Sequence, residues 1–187
     1  MKHTLMAGAV AVLLTAASPA QAITYAWAGN TTGAPTFDRP FFDFSGISSD
    51  GDDVRYHSLT FHVSAAGTYD FLSVASGWDN FLLLYSPSFS PGSPLVNGVV
   101  ANDDLGGVIG SSGFSRNLMA GVTYVTVTTG YAMTDFGAYS NTINGPGNVI
   151  LGVVPEPATA ALLGLGVFGL LGFQAARNPR LRAPASK

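Results

Sequence analysis

The sequence predicts an all-β exported-type domain, a β-sandwich or jelly roll, carried between two apolar terminal segments. Three observations lead there. Between residues 23 and 154 there are ten aspartates and three arginines but no glutamate and no lysine, so residues that favour long amphipathic helices are scarce. Eighteen of the chain's 23 glycines fall in the same stretch, where closely spaced turns are needed. Around eight short segments there alternate or run apolar, each bounded by turn-forming residues.

Taken in order, residues 56–63 alternate, Ala65-Ala66-Gly67 turns the chain and residues 68–75 run back, which predicts a hairpin. Segments 80–85, 95–101, 114–119, 122–129, 138–143 and 148–153 are the further strands. Pro87, Pro91 and Pro94, then Gly106-Gly107, Ala120-Gly121 and Asn144-Gly145-Pro146-Gly147, punctuate them. Residues 23–53 are less regular, and Phe41, Phe42 and Phe44 point to an edge or covering strand. No repeat of solenoid period is present.

Composition narrows the function. Of 187 residues 47% are hydrophobic and 11% aromatic, and the formal net charge is only −3, which excludes a disordered tail. Eight Lys plus Arg form no basic stripe, so no nucleic-acid partner is expected. The absence of cysteine removes thiol nucleophiles, disulfides and Cys-based metal sites.

Both ends read as export signals. Residues 1–22 have a polar start at Lys2 and His3, an apolar run over 5–14 and small residues at Ala20 and Ala22, where signal peptidase would cut to leave Ile23 first. Residues 157–176, between Glu156 and Arg177, contain no charge. As a helix they would span about 30 Å. Arg177, Arg180 and Arg182 follow as a basic stop-transfer tail that holds this end in the cytoplasm. The Gly164-Leu165-Gly166-Val167-Phe168-Gly169 run matches a dinucleotide-binding pattern, but an apolar span surrounds it and no acidic residue follows at the required distance. Small residues in such a span permit close helix contact instead.

The order Pro155-Glu156-Pro157, apolar segment, arginine cluster resembles the PEP-CTERM sorting signal of Gram-negative bacteria. That resemblance implies a single-pass membrane intermediate, a reading of the motif by exosortase, removal of the tail, and delivery to the envelope, cell surface or extracellular matrix. The prolines hold the junction extended, as entry into a protease cleft requires. A plain single-pass anchor on a proline-rich stalk is the alternative. The chain thus divides into a signal peptide at 1–22, an exported domain at 23–154 and a sorting segment at 155–187.

Within the exported domain, Gly67-Thr68-Tyr69-Asp70-Phe71, Trp78-Asp79-Asn80-Phe81-Leu82-Leu83-Leu84-Tyr85, Ala101-Asn102-Asp103-Asp104 and Ala120-Gly121-Val122-Thr123-Tyr124 are similar to the bacterial pre-peptidase C-terminal domain. The resemblance covers residues 56–144. It implies a non-catalytic β-sandwich that accompanies secreted peptidases, some relatives of which bind calcium or polymeric substrates such as collagen. No peptidase domain accompanies it here.

If strand 80–85 pairs antiparallel with strand 95–101, Asp79 and Asn80 come beside Asn102, Asp103 and Asp104. Carboxylates and amide carbonyls are hard oxygen donors, so calcium is the cofactor this set would take. The plainer reading is that these residues serve turns. Asp50-Gly51-Asp52-Asp53 fails as an EF-hand, because Val54, Arg55 and Phe61 stand where an oxygen ligand, glycine and glutamate are needed, though the loop could lend a carboxylate. His57 and His62, five apart on one strand, face opposite sides. With no nucleophile motif either, no catalytic residues are assigned and the domain is not expected to be an enzyme. Trp27, Trp78 and Tyr131 would stack on carbohydrate if exposed, and fill the core otherwise. The leading expectation is a structural or adhesive protein of the exopolysaccharide or biofilm matrix, partnered by polysaccharide or surface proteins. A calcium-dependent glycan- or protein-binding module is second, and a hydrolase third.

Overall fold

Asn80–Tyr85 (β5) and Tyr124–Gly130 (β8) carry no exposed residue, because an apolar layer covers each of their two faces. The computed structural model describes residues 22–153. The signal-segment residue Ala20, the Pro155-Glu156-Pro157 motif, the apolar segment 157–176 and the tail arginines Arg177, Arg180 and Arg182 lie outside the described residues.

Ten strands form two antiparallel sheets that stack as a sandwich. The first sheet runs Ile23–Asn30 (β1), Ala138–Gly145 (β9), Gly67–Ala75 (β4), Ser111–Leu118 (β7). The second runs Val149–Leu151 (β10), Val54–Val63 (β3), β8, β5, Gly98–Asn102 (β6), with the short Thr36–Phe37 (β2) also on β3. Between the sheets pack Phe61, Val63, Leu82, Leu84 and Tyr124 from one side and Tyr69, Phe71, Leu118 and Ile143 from the other. The alternate residues of β5 and β8, Phe81, Leu83, Tyr85, Val125 and Val127, face the other way into a second apolar layer. Phe37, Phe44 and Phe89 cover them there. Phe44 meets Tyr85 edge-on with ring centroids 5.5 Å apart, and a Cβ on Gly98 would come within 2.3 Å of the Phe44 ring, so β6 needs glycine at that crossing.

The all-β sandwich expectation holds, but two local expectations do not. The 56–63 and 68–75 segments form strands without forming a hairpin: β3 pairs with β8 and β10, whereas β4 pairs with β7 and β9 in the other sheet. Each strand needs a covered inner face, and facing its predecessor across the sandwich satisfies that as well as lying beside it. Residues 23–53, expected to be irregular, begin with the eight-residue strand β1, paired along its length with β9. Of the phenylalanine cluster, Phe44 does cover the second sheet, while Phe41 and Phe42 are exposed.

Burial on both sides makes the second layer energetically comparable to the first. Leu83→Ala, at a site with no solvent exposure, should lower unfolding stability by about 2–5 kcal/mol, as a core leucine does. Urea titration of the variant checks this, and a loss below about 1 kcal/mol would show that the outer layer is not closed.

A candidate cation site at one end of the sandwich

Antiparallel pairing of β5 with β6, in which Leu82 lies opposite Asn102, brings the beginning of one strand beside the end of the other. Asp79 immediately precedes β5, and Asp103 and Asp104 immediately follow β6. One carboxylate oxygen from each of these three lies within 4.8 Å of the other two. In each, Oδ1 is shut off from solvent and has no hydrogen-bond partner. Three carboxylates converging without a contacting cation repel one another, and burial adds to the cost of ionising them. Accordingly, burial together with Asp79 and Asp104 pushes the Asp103 carboxyl up to about 6, against the pull of Arg39. Burial, Asp104 and Asp135 raise Asp79 as well.

The two expected amide donors have other partners. Asn80 is fully buried, donates from Nδ2 to Ser73 Oγ at 2.8 Å, and its Oδ1 accepts from Ser112 Oγ at 3.2 Å. Asn102 Oδ1 accepts the Gly113 amide at 3.0 Å. Both therefore fasten the second sheet to β4 and β7, and the donor set that converges is the three aspartates. Asp50 instead accepts the Tyr131 hydroxyl at 3.0 Å, and Asp53 accepts Thr36 Oγ1 at 3.4 Å, so these two carboxylates tie the loop to the residue after β8 and to β2.

Two neighbours went unforeseen. Asp135 accepts the Ala132 amide at 3.0 Å and the Asp79 amide at 3.4 Å, placing a fourth acid behind the cluster. The missing signal was the pairing of β5 with β8, which sets Asn80 opposite Gly130 and so brings the following loop to the same end. Arg39 is 2% exposed and lies against Phe81, its guanidinium carbon 4.1 Å from the ring centroid. It donates to the carbonyls of Pro40 and Tyr131, each at 2.9 Å, rather than to a carboxylate. Burial pulls its pKa below the usual arginine value, and Asp103 is the largest opposing influence.

His57 and His62 are separated as expected. His57 Nδ1 lies 3.1 Å from the Tyr139 hydroxyl of the facing sheet, whereas His62 Nδ1 lies 3.4 Å from the Gly152 carbonyl. Trp27 packs against the inter-sheet core, Trp78 donates to the Ala138 carbonyl at 3.0 Å, and Tyr131 packs against the outer layer.

These features define a β-sandwich module with an acidic end, followed directly by a sorting segment. Residues 153–177 match the family described as the PEP-CTERM protein-sorting motif, and that motif implies a protein exported and sorted by exosortase to the cell envelope or surface. Among solved structures, the pre-peptidase C-terminal domain of collagenase from Bacillus anthracis is similar at 15% identity and TM-score 0.41, over 65% of this chain and 89% of that one. PliG of Aeromonas hydrophila, a periplasmic inhibitor of g-type lysozyme, is similar at 13% identity and TM-score 0.35, over 70% and 90% of the two chains. A cowpea mosaic virus empty-particle chain gives 13% identity and TM-score 0.29, over 76% and 92%. No curated protein matches the chain.

Because Asp103 holds its proton more tightly when folded, folding takes up a proton between the ordinary aspartate range and pH 6. With chelator present, the stability this group contributes should be full only below the ordinary aspartate range, decline from pH 4 upward and be lost as the pH rises through 6. Chemical unfolding at pH 4, 5, 6 and 7 should show a smaller decline for Asp103→Asn than for the wild type, and equal declines would remove Asp103 as the cause.

Proposed function

We propose that the exported domain is a non-catalytic structural or adhesive element of a Gram-negative envelope or extracellular matrix, held there through exopolysaccharide or surface proteins. The observation that carries this reading is the sorting motif at 153–177, whose match begins two residues past the last strand, β10. The module is in this reading the cargo, and signal peptidase and exosortase act on its two ends. The inventory of the domain supports holding rather than chemistry: it has no cysteine, glutamate or lysine, and its two histidines lie on opposite faces of β3. Intact-mass measurement from an exosortase-containing host should give a chain that begins at Ile23 and ends near Pro155 to Pro157. A mature species that still carries Arg182 in that host would leave only the anchor reading.

A second reading adds calcium, and the convergence of Asp79, Asp103 and Asp104 favours it. Calcium takes six to eight oxygen ligands, so three aspartates would leave several positions for water, backbone or a ligand's oxygens. An ion bound by the folded state alone stabilises it by mass action, about 2.7 kcal/mol at a hundredfold excess over Kd. Millimolar calcium should therefore raise the thermal midpoint of the wild type by several degrees, and Asp103→Asn with Asp104→Asn should abolish the rise. An unchanged wild-type midpoint returns the three aspartates to turn duty.

A further inference from the structure

The layer between the sheets changes character along the sandwich. Near the Ile23 end it is apolar, with Phe61, Tyr69, Phe71, Leu84 and Leu118. Toward the acidic end it holds Ser73, Asn80, Ser112, Thr126, Thr128 and Asn141, all 2% exposed or less. Burying so many polar groups costs stability unless each is partnered. Asn141 donates from Nδ2 to Thr128 Oγ1 at 2.7 Å, yet its Oδ1 has no partner although the residue is 1% exposed.

Thr128 also lines a slot of about 140 Å³ between the sheets. Trp27 and Tyr139 wall it from the first sheet, His57, Leu59 and Thr126 wall it from the second, and the exposed Ser58 marks its mouth. A cavity of roughly 150 Å³ takes a benzene-sized ring, so the exocyclic groups of a larger ring would stay at the open mouth. The mouth lies at a gap in the sheet edge, because β3 is paired on that side with β2 only at Val54 and Arg55 and with β10 only from Phe61 to Val63. The Tyr56 amide donates to Pro35 and the Thr60 carbonyl accepts from Gly152, so even-numbered residues turn their backbone groups to this edge. Ser58, between them, presents its N–H and C=O to the gap, and among the described residues no strand lies alongside it.

We propose that this slot binds one neutral pyranose residue of a glycan. The indole of Trp27 and the side chain of Leu59 suit the apolar C–H face of such a ring, and the Thr128 and Tyr139 hydroxyls suit its oxygens. The orphaned acceptor on Asn141 lies on the same amide that holds Thr128, and the Ser58 backbone supplies one further donor and one further acceptor. No Asp, Glu, Lys or Arg lines the slot, and His57 Nδ1 is already engaged with the Tyr139 hydroxyl, so a charged sugar would be desolvated there without a dedicated partner. The proposal deepens the matrix reading and rests on it for its setting, but it does not depend on calcium, since the aspartates lie at the end of the sandwich and the slot in its side.

Saturation-transfer NMR on the full chain, in a zwitterionic and sugar-free detergent, tests it with methyl glycosides of neutral hexoses and N-acetylhexosamines alongside hexuronates. Saturable transfer to the neutral rings is expected from the wild type, with affinity weakened about tenfold in Trp27→Ala and in Leu59→Trp. Leu59→Trp crowds a half-buried wall position and keeps the test decisive if Trp27→Ala does not fold. Transfer to no neutral ring, the sign of a slot that holds only water, overturns the proposal. Transfer undiminished in both variants, or equally strong to hexuronates, overturns it too. Any of these failures leaves the mass measurement of processing unaffected, so the two readings fail separately.

Discussion

Double-sided burial of β5 and β8 is the constraint on which the rest of the structure depends. A strand with one solvated face can stand at the edge of a two-layer sandwich, but Asn80–Tyr85 and Tyr124–Gly130 have no solvated face. The first four-stranded sheet closes one side. The other side is closed by irregular chain before β3 and by the loop between β5 and β6, through Phe37, Phe44 and Phe89. Segments that would otherwise be surface loops are therefore part of the core, with Phe37 and Phe89 edge-on at 5.4 Å between ring centroids. Arg39 belongs to the same cover, its charge buried against Phe81 and Tyr131, its two terminal nitrogens donating to carbonyls and its Nε left without a partner.

That cover also shapes the acidic end. Arg39 lies near enough to Asp103, Asp79 and Asp50 for their field to offset part of its burial, yet its hydrogen bonds go elsewhere. The three clustered carboxylates consequently have a distant cation in place of a contacting one. Their shielded oxygens stay unpartnered, and the conflict between burial and charge appears as the raised proton affinity of Asp79 and Asp103. Asn80 and Asn102 do not relieve it, because tying the sheets together through Ser73, Ser112 and Gly113 has engaged both amides.

Much of this was legible in the sequence, and what was not shares one cause. The apolar run at 80–85 coincides with β5, and once antiparallel pairing with the next strand is assumed, the meeting of Asp79 with Asp103 and Asp104 follows. Local pattern says where a strand lies but not which distant strand it meets. The pairing of β5 with β8 spans more than forty residues, and without it Asp135 had no visible relation to the cluster. The same gap turned β3 and β4 into an apparent hairpin. Strand β1 escaped because its residues, Ile23 to Asn30, are half-buried in alternation on an edge and include two alanines and a glycine, a weak signal for any strand. Arg39 escaped for the opposite reason: an arginine reads as surface until the aromatic rings that bury it are placed.

The strand directions also give the molecule a polarity that bears on its sorting. Ile23 lies opposite Gly145, and Val149 lies opposite Val63, so the first strand begins and the last strand begins at the same end of the sandwich. Asp79, Asp103 and Asp104 occupy the other end, where β5 begins and β6 finishes. The last strand is only three residues long, and the sorting match starts two residues beyond it. β10 runs from the Ile23 end toward the aspartates, Leu151 lying opposite Phe61 and the Gly152 amide donating to the Thr60 carbonyl, so the described chain leaves along the β3 edge that carries Ser58. Antiparallel strand order alone thus sets the aspartates at the end opposite Ile23 and brings the departing chain along the flank that carries the slot.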